Sequence, residues 1–348
     1  MEDPTSLAGN IVKVLLADHS GSLFIATTNG MSRIDFTSGG FGKLTPRALK
    51  DADDGVNNAI RSIAVNDARQ LWLGTWEGAL LVDDKRRQIL KKLTSVPDRN
   101  GNAGIGMVYS VYQQPNGLLW LGTRNGLIRY EEKNQKIQII NLGDTANNFV
   151  NKIVPGADGV LWLGTGGGLI EYDPGSGIKR HFRHDEHNQN SLGDDSVNTL
   201  FIDSHGRVWV GGAYIAGSGL SVLDPKNGRF HGYNFDSSDE NSLPSDMVFN
   251  VVEDKQGRIW LATGRGICQA IETSDGFRFQ NFGADNGLAS GSVQNLQIGD
   301  EGRLWFTGIK GISSFDPDNG EFLHFAFPVG FASRIEPGGM VIDSAGLI

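Results

Sequence analysis

Short runs of apolar residues, several alternating with polar ones, recur along this chain at a period of nearly fifty residues. VKVLLAD (12–18), VNTLFID (197–203) and VFNVVED (248–254) are three copies of one such run, and each has the length and β-former content of a strand. A turn rich in Gly, Asp and Asn follows each run. A second strand then opens on a marker pair: Leu23-Phe24, Leu71-Trp72, Leu119-Trp120, Leu161-Trp162, Val208-Trp209, Ile259-Trp260 and Leu304-Trp305. These pairs start 48, 48, 42, 47, 51 and 45 residues apart, and six of the seven tryptophans fall in register. Self-similarity at this period identifies a repeat protein before any single residue is weighed.

Each copy continues through a segment such as LWLGTRNGLIRYE (119–131) or LWLGTGGGLIEYD (161–173), which reads as a strand, a tight turn ending in Gly and a returning strand. Turns of the D-P-x-x-G kind (224–228, 316–320) then lead to a short aromatic strand, to which Phe182, Phe230, Tyr233, Phe277, Phe279, Phe322 and Phe325 belong. Four antiparallel strands in under fifty residues make one propeller blade. Such a blade has two apolar faces and buries both only between neighbours. The expected fold is therefore all-β, a β-propeller of seven blades over 9–327, with the repeated Trp packed between blades. Gly126, Gly168, Gly219, Gly266 and Gly311 stand where the hairpin turns call for positive φ. No helix pattern follows GTGGG at 164–168, so it reads as one more of these turns, not as a phosphate loop.

The ends are irregular. The first residues resemble the linkers at 185–195 and 236–246, so the chain starts where a blade connection would be. Residues 328–348 look like a partial eighth repeat without its Trp. They are read either as the start of a following domain in a longer protein, which is preferred, or as strands that fasten the ring.

Composition narrows the function classes. A net charge of −9 argues against nucleic acid or an anionic membrane surface as partner. The single cysteine, Cys268, excludes an internal disulfide and reads as buried. No run is long enough to span a membrane as a helix. HFRHDEH (181–187) is the densest group of metal-ligand types, but its position on an outer strand and linker favours a polar connection over zinc. The acidic strings at 51–54 and 316–321 lack calcium-loop spacing. No catalytic residue, metal or cofactor is indicated, and the chain is expected not to be an enzyme.

Binding is the better expectation. The turns between second and third strands vary while their flanks stay constant, which is how a loop face acquires a binding surface. Trp76, the one tryptophan outside the register, stands with Glu77 in such a turn. Arg124, Asn125, Arg265 and Lys310 occupy the equivalent turns, and Tyr214 lies in a longer one, so these seven are the ligand-binding candidates. A second set follows the first residue of each innermost strand and is expected to line the channel: Lys13, Arg61, Tyr109, Asn151, Asn198, Phe249 and Gln294.

The pattern LWLGTxxGLxxYD, preceded by VxxIxxDxxG and followed by an SLxxxxV linker, resembles the two-component regulator propeller repeat. The resemblance covers 9–327 and is best in blades three and four. Phe24 replaces Trp in blade one, Ala262 replaces Gly in blade six, and Thr307-Gly308 reverses Gly-Thr in blade seven. It implies the extracytoplasmic sensor part of a bacterial membrane protein, periplasmic in location, whose kinase or cyclase output lies outside this chain. The implied ligand is a small polar molecule or an oligosaccharide. A second propeller or a partner subunit is the other implied contact, with any membrane link made by other parts of the parent. Two further expectations stay open: a protein-interaction or dimerisation scaffold, and a propeller enzyme of the polysaccharide lyase kind. The lyase would need His residues converging from the innermost strands, whereas His19 and His205 sit in the turns after them.

Overall fold

In a computed structural model, the structure describes residues 8, 12–17, 22–35, 40–46, 49–50, 59–66, 68–83, 85–98, 101–212, 218–288, 291–299, 302–308 and 311–326. The chain is an all-β, seven-bladed β-propeller: seven four-stranded antiparallel sheets, each with its strands hydrogen-bonded in chain order. The innermost strands are Val12–Ala17, Ile60–Val65, Val108–Gln113, Val150–Pro155, Thr199–Ile202, Val248–Glu253 and Val293–Ile298. A small hairpin of Ser95–Asp98 and Gly101–Gly104 interrupts the path from blade two to blade three. One helical turn, Thr145–Asn148, precedes blade four and is capped by the Asp144 carboxylate, which accepts from the Asn147 amide. The segment 328–348 lies outside the described residues.

The chain divides into two compact units, one running up to Ile153 and one over Val154–Phe327. In the first, Phe24 and Leu16 of blade one pack with Ile63, Leu71 and Leu73 of blade two. Trp72 of blade two sits fully buried among Val108, Leu119, Leu121 and Ile128 of blade three. In the second unit, Trp162 packs on Leu200, Val208 and Val210 of blade five, and Trp209 on Val251, Leu261 and Phe279 of blade six. The Trp260 ring lies 5.7 Å from Phe315 of blade seven. In these five blades the repeated aromatic thus fills the gap to the following blade. The aromatic outer strands complete these seams: Phe277 meets Trp209 at 4.8 Å, and Phe182 meets Phe230 at 5.5 Å.

Polar groups carry the seams where the aromatics end. The Thr199 hydroxyl donates to the Val248 carbonyl of the next blade (3.0 Å), and the Val197 amide donates to the Thr165 carbonyl of the previous one (2.9 Å). The linkers at 185–195 and 236–246 fold alike: Leu192 and Leu243 plunge into the core, while Ser191 and Ser242 accept from the amides of Asp185 and Asp236. Cys268 is buried with no exposed surface, and burial pushes its thiol pKa well up. A thiol reagent in excess should therefore leave native protein unlabelled and modify it at the rate of unfolding; rapid labelling without denaturant would contradict the packing.

Candidate functional site

The turns between second and third strands are built from one brace. In blades one, two, three, four and six a threonine ends the second strand, and its hydroxyl donates to a glycine carbonyl three residues on. The bonds are Thr27 to Gly30 (2.7 Å), Thr75 to Gly78 (3.0 Å), Thr123 to Gly126 (2.8 Å), Thr165 to Gly168 (2.8 Å) and Thr263 to Gly266 (2.9 Å). The same oxygen accepts from the amide between them, as at Glu77 (3.3 Å), Asn125 (3.0 Å) and Arg265 (3.2 Å). One hydroxyl thus closes both ends of a two-residue turn and leaves its side chains outside. The glycine is required at φ near +130°: at Gly126 (φ 131°) an added Cβ would stand 2.8 Å from the Ile140 carbonyl oxygen. Gly126→Ala should cost about 1–3 kcal/mol in backbone strain, read as a lowered urea midpoint with unchanged slope.

Trp76 projects from such a turn with 47 % of its surface exposed, beside exposed Glu77. Arg124 and Asn125 are exposed in the next blade's turn. In the second unit Arg265 lies with its guanidinium 4.6 Å from the ring centre of Phe235, and Met247 stands beside the same turn. Phe235 and Met247 are themselves exposed, at 37 % and 40 %. Tyr214 and Lys310 lie outside the described residues.

The second set of candidates has a common backbone origin. Ladder register slips by one residue between Val12 and Val14, Ile60 and Ser62, Val108 and Ser110, Val248 and Asn250, and Val293 and Asn295. The extra residues are Lys13, Arg61, Tyr109, Phe249 and Gln294. Each is the extra residue of a β-bulge, a device that re-aims one side chain out of the pleat. The bulge lies at the end of its own blade that carries the braced turn, since Val108 pairs with Thr123. Bulge residues and turn residues therefore share one face of each blade.

Only some of them meet. The Arg61 guanidinium lies 4.9 Å from the Tyr109 ring centre, and Tyr109 stands edge-on to Phe149 at 4.8 Å. A cation thus sits on an aromatic pair at half-buried positions, with half-buried Asn151 next along the strand. Asn198 bonds locally, donating to the Ser196 carbonyl and hydroxyl (both 3.2 Å). Lys13 and Phe249 are only 4 % exposed, so their bulges turn them into the packing and not toward solvent. Phe149, Phe235 and Met247 carry no repeat signal, although Phe149 directly precedes the first residue of blade four. The histidine-rich segment is a connection: His181 Nε2 lies 2.8 Å from the Gly167 carbonyl and His184 Nδ1 2.7 Å from that of Leu192. No group of three or more His, Cys, Asp or Glu suited to a metal occurs among the described residues.

Comparison with known proteins agrees with this architecture. Residues 191–214 and 242–265 match the family model for the two component regulator propeller. No curated protein sequence matches the chain. The extracellular domain of a putative hybrid two component system from B. thetaiotaomicron is 19 % identical at a TM-score of 0.63, over 90 % of this chain and 46 % of that one. PorZ, a surface component of the type-IX secretion system of Porphyromonas gingivalis, is 15 % identical at 0.69, over 90 % of this chain and 48 % of that one. The chain therefore spans about half the length of these structures. A streptogramin B lyase is 13 % identical at 0.64, over 89 % of this chain and 95 % of its own. At these identities the likeness is one of fold.

The lyase match corrects one expectation. The absence of a catalytic motif does not make this chain a non-enzyme, because the same blade architecture, nearly end to end, is that of a lyase. Catalytic groups supplied by several blades leave no contiguous signature, and a fold does not decide between binding and chemistry. What the repeats do show is a match: two of the blades carry the two component regulator propeller repeat, on an all-β propeller fold.

Proposed function

We propose that this propeller binds a small polar ligand, an oligosaccharide being the best fit, on the face that carries the braced turns and the bulges. The protein is then the sensing part of a bacterial signalling protein on the outer side of its membrane. The observation that carries this reading is the shared face within the first unit: rigid two-residue turns present Trp76, Glu77, Arg124 and Asn125, and the bulges present Arg61 and Tyr109 at the same blade ends. Exposed aromatic rings offer stacking to sugar faces, and guanidinium and amide groups offer hydrogen bonds to hydroxyls. The fold likeness to the extracellular two-component domain of B. thetaiotaomicron, and the two component regulator propeller match of this chain, support the sensor role.

A second reading is favoured by coverage. Against the lyases the match runs through almost the whole of both chains, whereas it takes in about half of the extracellular two component domain and about half of PorZ. On this reading the same face holds a substrate and eliminates across it, and Tyr109 beside Arg61 is the group to test as a base.

Thermal shift against neutral and acidic oligosaccharides, with Trp76→Ala alongside, separates these readings. Trp76→Ala should leave unliganded stability within about 0.5 kcal/mol, because the side chain packs on little, while abolishing a ligand-induced shift. A shift accompanied by ultraviolet-absorbing unsaturated product favours the lyase. A shift without product favours the sensor, and no shift with any oligosaccharide rejects the ligand class.

A further inference from the structure

The innermost strands share one further register position, ten residues before the marker aromatic. In six blades it holds Val14, Ser62, Ser110, Thr199, Asn250 and Asn295, all small, uncharged and buried. Blade four places Lys152 there, on the strand Val150–Pro155. Three of the small polar side chains act as stitches. The Ser110 hydroxyl accepts from the Ile153 amide (3.1 Å), the Thr199 hydroxyl donates to the Val248 carbonyl (3.0 Å), and the Asn295 amide group donates to the Thr307 hydroxyl (3.2 Å). A lysine offers no acceptor to replace Ser110, and as a donor it does only what threonine does without a charge. Stitching therefore gives no reason to draw an ammonium group out of water, which costs free energy.

The surroundings of Lys152 within the first unit supply a reason. Gly122 lies so close to Val150 that an added Cβ would stand 2.8 Å from the Val150 carbonyl oxygen. The strand is thus held against blade three, next to the braced turn at Thr123. Phe149 and Asn151, on either side of Val150, are half-buried, as is Tyr109, whose ring meets Phe149 at 4.8 Å. Lys152 is half-buried too, so part of it meets solvent at this end of the strand. Burial lowers its pKa to about 8, which leaves an appreciable share of the amine neutral near neutral pH. A neutral, partly accessible amine on a rigid strand is a nucleophile toward carbonyl carbon.

We infer that Lys152 is a covalent capture site for carbonyl compounds, which it holds as an imine. The amine nitrogen attacks the carbonyl carbon and forms the C–N bond. The carbonyl oxygen leaves as water, carrying the two hydrogens of the neutral amine, and addition of water reverses the step without oxidant or reductant. A free aldehyde and the open-chain end of a reducing sugar share this chemistry. The test needs no oligosaccharide to bind at the turns. Glycolaldehyde is applied to the intact chain with cyanoborohydride, which reduces the imine to a stable secondary amine, and labelled peptides are mapped by mass spectrometry. At about pH 7.5, Lys152 should label at least about tenfold faster than the exposed Lys133, Lys136 and Lys226. The ratio of its rate to theirs should fall above about pH 8, where its amine is already neutral and theirs are still losing protons. Labelling no faster than the exposed lysines, or a ratio that does not change with pH, would overturn the site. So would a preference that survives in urea, because it would belong to the local sequence and not to the fold. Lactose in place of glycolaldehyde separates the two sources: labelling of Lys152 by both assigns a reducing sugar, and labelling by glycolaldehyde alone assigns a small aldehyde.

Discussion

Trp209→Ala should lower the stability of this propeller by about 3–5 kcal/mol, among the largest effects of any single substitution. The indole is fully buried and closes the seam between blades five and six, against Val251, Leu261 and Phe279 and with the Phe277 ring at 4.8 Å. Truncation removes most of that contact at once. It also strips the indole N–H from the buried Asp203 carboxylate, to which it donates at 2.9 Å. The cavity opens against a rigid sheet on each side, so little collapse is available to relieve it. Urea unfolding monitored by far-ultraviolet circular dichroism is the check, with Trp209→Phe beside it. Phenylalanine should recover part of the loss by volume while leaving Asp203 short of one donor. A loss below about 1 kcal/mol for alanine would mean the seam is not held by this residue.

The same residue shows why the fold was legible and the site less so. A blade's core position does one job seven times, so the Leu-Trp pair repeats and its period reveals the architecture. The outer aromatic strands were readable for the same reason: Phe230, Phe277 and Phe279 land on the fourth strands as expected. Trp76 stood out only as a tryptophan in the wrong register, and an exposed turn is where it lies.

What could not be read is what depends on partners far apart in sequence. The bulges that set Lys13, Arg61, Tyr109, Phe249 and Gln294 out of the ladder are invisible in composition. Whether a bulged side chain faces solvent is decided by its neighbours. Tyr109 finds Arg61 from 48 residues earlier and stays half-exposed, while Phe249 disappears into the packing. Phe149 belongs to no repeat at all, and only the fold brings it to Tyr109. The threonine brace is present in every LGT but has no signature in polarity, because its function is a hydrogen bond.

Asp254→Ala should cost about 3–5 kcal/mol, and the chain contains the design for its rescue. The Asp254 carboxylate, 1 % exposed, accepts from the Trp260 indole (3.1 Å), the Arg258 guanidinium and the amides of Gln256 (3.0 Å) and Arg258 (2.9 Å). Alanine leaves a buried indole N–H without an acceptor and a largely buried guanidinium with only the exposed Asp318 as counter-ion, at 2.9 Å. Blade five repeats this unit with Asp203, Arg207 and Trp209. Blade two does not: Asn66 and Gln70 stand at the same spacing, bonded to each other at 2.9 Å, and the Trp72 indole N–H has no acceptor among the described residues. One seam therefore already tolerates the unsatisfied indole, provided no cation is stranded beside it. Asp254→Asn with Arg258→Gln rebuilds that arrangement in blade six and should cost only about 1–2 kcal/mol, the loss of one buried hydrogen bond. Unfolding free energies of the native chain, Asp254→Asn, Arg258→Gln and the double variant form a cycle whose coupling term isolates the charge pair. A double variant as unstable as Asp254→Ala would assign the cost to the indole and not to the guanidinium.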